Sequence, residues 1–148
     1  MLKKELLQII LPEYEQVELM QSEKVLRLPA KVGYSIGRNF AEAKKVANAK
    51  QRLINKLFEE NVTKKDGLYQ QNEKGGWLFK EADGQYKIDH AVAMWGDEEA
   101  ADLRVFTIAA AEIQAIDNFP IGVLSTLLEY GIVVDAPELK VVPNGKKK

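Results

Sequence analysis

The chain has 148 residues, 46% of them hydrophobic and 29% charged, with a formal net charge of −1, one histidine and no cysteine. That is the length and composition of a single globular domain, long enough to bury a core and too apolar for wholesale disorder. The missing cysteines exclude disulfides and thiolate chemistry, and the lone histidine excludes a histidine–cysteine zinc site built within one chain.

The first eleven residues form an apolar run broken by Glu5 and Gln8, followed by Pro12-Glu13-Tyr14-Glu15 instead of small residues. This reads against a secretory signal, and no stretch approaches the roughly 20 apolar residues of a membrane helix. The expectation is a soluble, intracellular chain without a membrane partner. Pro12 is suited to a helix start and not to a helix interior, so a short helix is expected over Leu2–Ile10 and another over Pro12–Gln21. Leu26-Arg27-Leu28-Pro29 is then a connector, because a residue before proline disfavours helical geometry.

From Ala30 to Glu60, apolar residues recur at Val32, Ile36, Phe40, Ala43, Ala47, Leu53, Ile54 and Leu57, with Arg38, Lys44, Lys45, Lys50, Arg52 and Lys56 between them. This periodicity predicts an amphipathic helix of about 45 Å. Such a helix exceeds what a small core needs, which points to a surplus face for another subunit. Gly33 and Gly37 weaken its start by about 1 kcal/mol each relative to alanine, a loss that close packing of another backbone would offset.

Asn61 to Gly76 reads as a loop with turns at Lys65-Asp66-Gly67 and Lys74-Gly75-Gly76. Trp77–Glu81 and Gln85–Ile88 around Ala82-Asp83-Gly84 predict a β-hairpin, and Asp102–Ile108 a third strand with Leu103, Val105 and Thr107 on one face. Asp117-Asn118-Phe119-Pro120 opens a last helix that Gly131 stops, with Ile121, Val123, Leu124, Leu127 and Leu128 as core. Ile132–Val134 and Leu139–Val142 suit short edge strands. The fold class is therefore α+β, a long amphipathic helix with shorter helices packed on a small antiparallel sheet or hairpin. One domain spans 1–148: N-terminal helices and connector (1–28), long helix (29–60), hairpin-containing part (61–142) and polar tail (143–148).

The chemistry is mainly negative. His90, beside Asp89, reads as structural or surface-exposed. Ser22, Ser35 and Ser125 lie outside any Gly-x-Ser-x-Gly turn, so no triad is signalled. Asp97-Glu98-Glu99 with Asp102 suits either a hard cation or, more simply, an acidic turn. Gly33-x-x-x-Gly37 lacks the ending of a phosphate-binding loop. No catalytic, cofactor-binding or metal residue is assigned.

Charge is split along the chain. Lys24, Arg27, Lys31, Arg38, Lys44, Lys45, Lys50, Arg52 and Lys56 face the single acid Glu42 between positions 24 and 56. Between 97 and 138 the only base, Arg104, stands among nine acids. The basic stripe suits nucleic acid, or complementary contact with the acidic half, within one chain or between neighbours.

Leu28-Pro29-Ala30-Lys31-Val32-Gly33-Tyr34-Ser35-Ile36-Gly37-Arg38-Asn39, leading to Arg52-Leu53-Ile54-Asn55-Lys56-Leu57, resembles a group of small bacteriophage and prophage proteins. They share a Leu-Pro-x-Lys-x-x-Tyr element, a long charged helix, a polar loop with Asp-Gly and a leucine-rich last helix. The resemblance brings no activity and no site residues. It implies a viral context, in the host cytoplasm or the virion, where small non-enzymatic proteins serve as assembly parts or accessory factors. The expected function is protein–protein contact as a homo-oligomeric virion or assembly component, with self or other phage proteins as partners. The alternative is an accessory protein that binds nucleic acid through the long helix. Gly33, Gly37, Arg38, Lys44, Lys45, Arg52 and Lys56 are the candidate contact residues for either role.

Overall fold

In the computed structural model, which describes residues 1–135, the two helices expected on either side of Pro12 are one continuous run. Helix α1 (Lys3–Glu5) passes through a π-helical turn (Leu6–Ile10) into α2 (Leu11–Ser22). Proline cannot donate, and its ring crowds the carbonyl one turn back. Widening that turn, so that the Leu11 N–H donates to the Leu6 carbonyl five residues earlier, absorbs Pro12 without a break. Leu6, Ile10, Tyr14 and Val17 then fall on one buried stripe. Lys24, at φ 63°, closes α2: its N–H donates to Gln21 and that of Val25 to Met20, both at 3.0 Å.

Helix α3 spans Ala30–Asn61, 32 residues or about 48 Å. Pro29, held extended, caps its start, and the Pro29 carbonyl accepts the first helical bond from Gly33 at 2.8 Å. The apolar stripe serves two separate cores. Val32, Ile36 and Ala43 pack with the α1–α2 stripe, Ile108, Ile113, Val123, Leu127 and Val133. Leu57, with Leu53 and Phe58, packs with Val62, Ile88, Tyr69, Trp77 and Phe79. The length of α3 is thus used within the chain, and the inference that its surplus must face another subunit loses its basis.

The hairpin lies in the stretch read as a loop. Strands β1 (Lys64–Lys65) and β2 (Leu68–Tyr69) pair antiparallel across Asp66 and Gly67, whose φ values of 55° and 80° match the tight turn that suits strand twist. The following chain, around Leu78, closes a ring with both. Thr63 N–H donates to Leu78, Leu78 to Gln70 and Gln70 to Thr63, at 2.8–2.9 Å. Inside this ring, Phe58, Tyr69 and Trp77 meet edge to face.

The hairpin expected around Ala82-Asp83-Gly84 is instead the start of α4 (Gly84–Gly96), which carries Gln85–Ile88 and His90. Asp-Gly is as good a helix entry as a turn, and Ile88, Ala91, Val92 and Trp95 have the helical spacing that decides the matter. Gly84 is required there, because a Cβ would lie 2.7 Å from the Phe79 side chain.

Of the expected strand over 102–108, only Ile108–Ala109 (β3) joins a sheet, and Val105 is exposed. Residues 103–107 run along α3, where Asn39 takes the place of a neighbouring strand. Helices α5 (Ala110–Gln114) and α6 (Ile121–Glu129) lead to β4 (Val133–Val134), which pairs with β3 in parallel, not antiparallel. Pro120 itself caps α6, without an Asp or Asn side-chain cap. Gly131 (φ 73°) ends it as expected, through bonds from Gly131 to Leu128 and Ile132 to Leu127. Val123 and Leu127 are core, Leu124 is half-buried, and Ile121 (83% exposed) and Leu128 face outward, against expectation. The strand expected over Leu139–Val142 and the tail from Pro143 lie outside the described residues.

Candidate interaction surface

The face of α3 opposite its core stripe is uncovered along most of its length. Ala30, Tyr34, Gly37, Ala41, Lys44 and Asn48, alternately four and three apart, form one row and are all exposed. Tyr34 is 61% exposed and meets Phe106 edge-on at 6.0 Å. Among the described residues, a Cβ placed on Gly37 would have nothing within 4 Å, so none of them explains a glycine there. Gly33 is different: a Cβ would meet Leu28 at an ordinary 3.7 Å, which places it against the connector and away from the open notch.

Beside this row runs a cationic one. Arg38, Lys45 and Arg52, each seven residues on, drift by only about 20° per step round the helix, and Lys56 continues the line one turn later. All four are exposed. Lys44 stands on the other flank of the notch, its ammonium 4.2 Å from the Phe40 ring centroid. Among the described residues, Arg38, Lys44, Arg52 and Lys56 have no carboxylate at ion-pair distance. Lys45 binds Glu42 at 2.6 Å, and this bond holds the Glu42 carboxyl below the usual carboxylate range, helped by the Arg104 N–H. The sequence candidates therefore separate into a row (Arg38, Lys45, Arg52, Lys56), a flank (Lys44), a notch (Gly37) and a packing position (Gly33).

Two side chains of α3 fix the segment that borders this surface. Asn39, only 3% exposed, donates from Nδ2 to the Phe106 carbonyl (2.9 Å) and accepts the Phe106 N–H at Oδ1 (2.7 Å). Glu42 accepts the Arg104 N–H at 3.4 Å. A carboxamide can satisfy both backbone groups of one residue as a strand would, which is why 103–107 stays extended without a strand partner. Nothing in the helical periodicity signals this role, since Asn39 reads as one more polar residue on an amphipathic helix.

The acidic cluster expected to complement the basic helix is used elsewhere. Asp97 binds Lys4 (2.6 Å), Glu98 binds Lys3 (2.6 Å) and Glu99 binds the Met1 amine (2.9 Å). Lys3 also lies over the Trp95 ring at 4.8 Å. Backbone bonds from Lys3 to Glu98 and from Ala100 to Met1 accompany them. Among the described residues, no three carboxylates or histidines converge as metal ligands. A cleft of about 430 Å³ opens between this turn and α3, lined by Lys3, Glu42, Lys45, Trp95 and Asp102, most of whose charges are already paired. His90 lies exposed on α4, stacked on Tyr86 at 5.4 Å.

Uncovered acids also gather on α2. Glu15, Glu18 and Glu23 are exposed and, among the described residues, have no cation at ion-pair distance. Leu19 stands between them, 56% exposed. The sequence carried the signal, since Leu11–Ser22 contains no basic residue, but the larger acidic count after residue 97 drew attention away from it. Among the described residues, no helix is long and apolar enough to cross a membrane. No protein-family model, curated protein or solved structure matches the chain.

Proposed function

We propose that this chain works by contact between macromolecules and not by catalysis, as a homo-oligomeric assembly component of a phage or prophage that acts in the host cytoplasm or the virion. The viral context comes from the resemblance around Leu28–Asn39. The observation that carries the contact reading is Gly37. It sits in an exposed helix interior, where glycine costs about 1 kcal/mol relative to alanine, and no neighbour among the described residues needs the space. A notch beside an exposed tyrosine suits a partner that comes close to the backbone. The test is the solution mass by light scattering on a sizing column, for the native chain and Gly37→Leu. The expected result is an oligomer that the leucine weakens while the helical circular dichroism stays unchanged. A native chain that remains monomeric at every concentration removes the reading.

The row of cations favours a second reading, binding of nucleic acid. Four phosphate contacts from Arg38, Lys45, Arg52 and Lys56 give a log–log salt slope of about −3.6, or roughly a hundredfold loss of affinity between 50 and 200 mM salt. Fluorescence anisotropy with labelled duplex DNA measures it. No binding at low salt eliminates this second reading.

A further inference from the structure

We infer that the acidic face of α2 is the surface that docks on the basic face of α3 in a second copy of this chain, so that assembly is head to tail. The inference rests on the homo-oligomer reading and names its interface.

Two copies cannot easily pair α3 against α3. An antiparallel arrangement brings the Arg38–Lys45–Arg52 row of one copy beside that of the other, and a parallel one sets Lys44 near its own copy. Lys44 flanks the notch on its remaining side, so the repulsion has no relief. The occupant of this face must bring negative charge. The expected source, Asp97–Glu99, is already bound to Met1, Lys3 and Lys4. The largest group of free acids on one helix is on α2, whose Glu15, Glu18 and Glu23 are exposed and unpaired among the described residues.

Three features match. Glu15 and Glu23 are separated by about 12 Å along the helix and the unpaired Arg38 and Lys44 by about 9 Å along theirs, so two ion pairs are within reach. Leu19 projects between the acids, and the Gly37–Ala41 notch lies between the cations, so a side chain meets a gap. Finally, Glu23 caps the C-terminal end of α2 and no base lies in its last turn. A carboxylate there faces the negative end of the helix dipole, a local loss that a cation from outside reverses. Different faces of one molecule meet in this contact, so it is heterologous and propagates to a ring or a filament instead of stopping at a two-fold dimer.

The test uses charge exchange in the full chain. In one variant α2 is reversed (E15K/E18K/E23K), and in the other the unpaired cations of α3 are reversed (R38E/K44E/R52E). Each alone now presents like charges on both surfaces and is expected to run as a monomer, with native circular dichroism showing that it folds. Mixed one to one, the reversed surfaces complement each other and assembly returns. If either variant alone keeps the native oligomer mass, this interface is wrong and the homo-oligomer reading stands on another surface. If the native chain itself is monomeric, both fall. Loss of duplex DNA binding in the α3 variant, with native mass retained, assigns the basic face to nucleic acid and also overturns the inference.

Discussion

Replacing Asn39 by leucine tests whether one side chain of α3 holds the extended segment 103–107 in place. Leucine keeps nearly the same volume, so little cavity forms, but the Phe106 N–H and carbonyl lose bonds of 2.7 and 2.9 Å from a residue that is 3% exposed. Each unsatisfied buried backbone group costs about 1–3 kcal/mol. With part of that offset by no longer burying a carboxamide, the expected loss is about 3 kcal/mol. For a chain of this size it lowers the melting temperature by about 6–12 °C. Urea unfolding followed by circular dichroism gives the free energy, and hydrogen exchange locates it, with the Phe106 amide losing protection before the amides of α3. Asn39→Asp should be at least as harmful, because it keeps an acceptor for the N–H but sets a carboxylate against the carbonyl. A leucine variant within about 0.5 kcal/mol of the native chain refutes the reasoning, since it means that 103–107 is held without the Asn39 bonds.

Gly84→Ala drives a Cβ to 2.7 Å from Phe79 and is expected to destabilise by about 1–3 kcal/mol; pairing it with Phe79→Leu recovers part of the loss in a double-mutant cycle. Lys24→Gly relieves a left-handed residue at the end of α2 and is expected to raise the melting temperature by about 1–2 °C in a thermal scan. Lys45 depresses the Glu42 carboxyl, and Lys64 with Tyr69 depresses that of Glu59. Lowered carboxylates contribute stability above their unfolded-state values and lose it as pH falls through the folded ones. Thermal scans of native protein and Glu42→Gln/Glu59→Gln should therefore converge as pH falls below the ordinary glutamate range, and a constant gap argues against the assignment.

The parts of the fold legible in the sequence were those with a strong local cause. The 3.6-residue period placed α3, and proline before it with alternating apolar spacing set its start. Gly131 marked the end of α6 because only a left-handed residue closes that bond pattern cheaply. Misreadings came where one local signal has two structural meanings. Asp83-Gly84 serves a turn or a helix entry, and Lys65-Asp66-Gly67 reads as a turn without its hairpin because the flanking strands are two residues each. Pro12 forbids an ordinary turn, yet a π-helical turn evades the prohibition. The contact surface was legible only in part. Its cations follow from helical spacing, but which of them lack partners depends on where distant carboxylates go, and the diversion of Asp97–Glu99 to the N-terminus is a tertiary fact.

That diversion shapes how the molecule comes apart. The two cores are joined on one side by the covalent strut of α3, and on the other by a clasp in which the turn after α4 grips residues 1–4. The strut is indifferent to ions, whereas the clasp depends on three ion pairs whose acids are more than half exposed. Such pairs are individually weak and screened by salt. Raising the ionic strength therefore acts as a selective solvent for one of the two joints, loosening the clasp while the packing on α3 is untouched. The Lys3 and Ala100 amides, which bond across the clasp, would exchange early and report the opening.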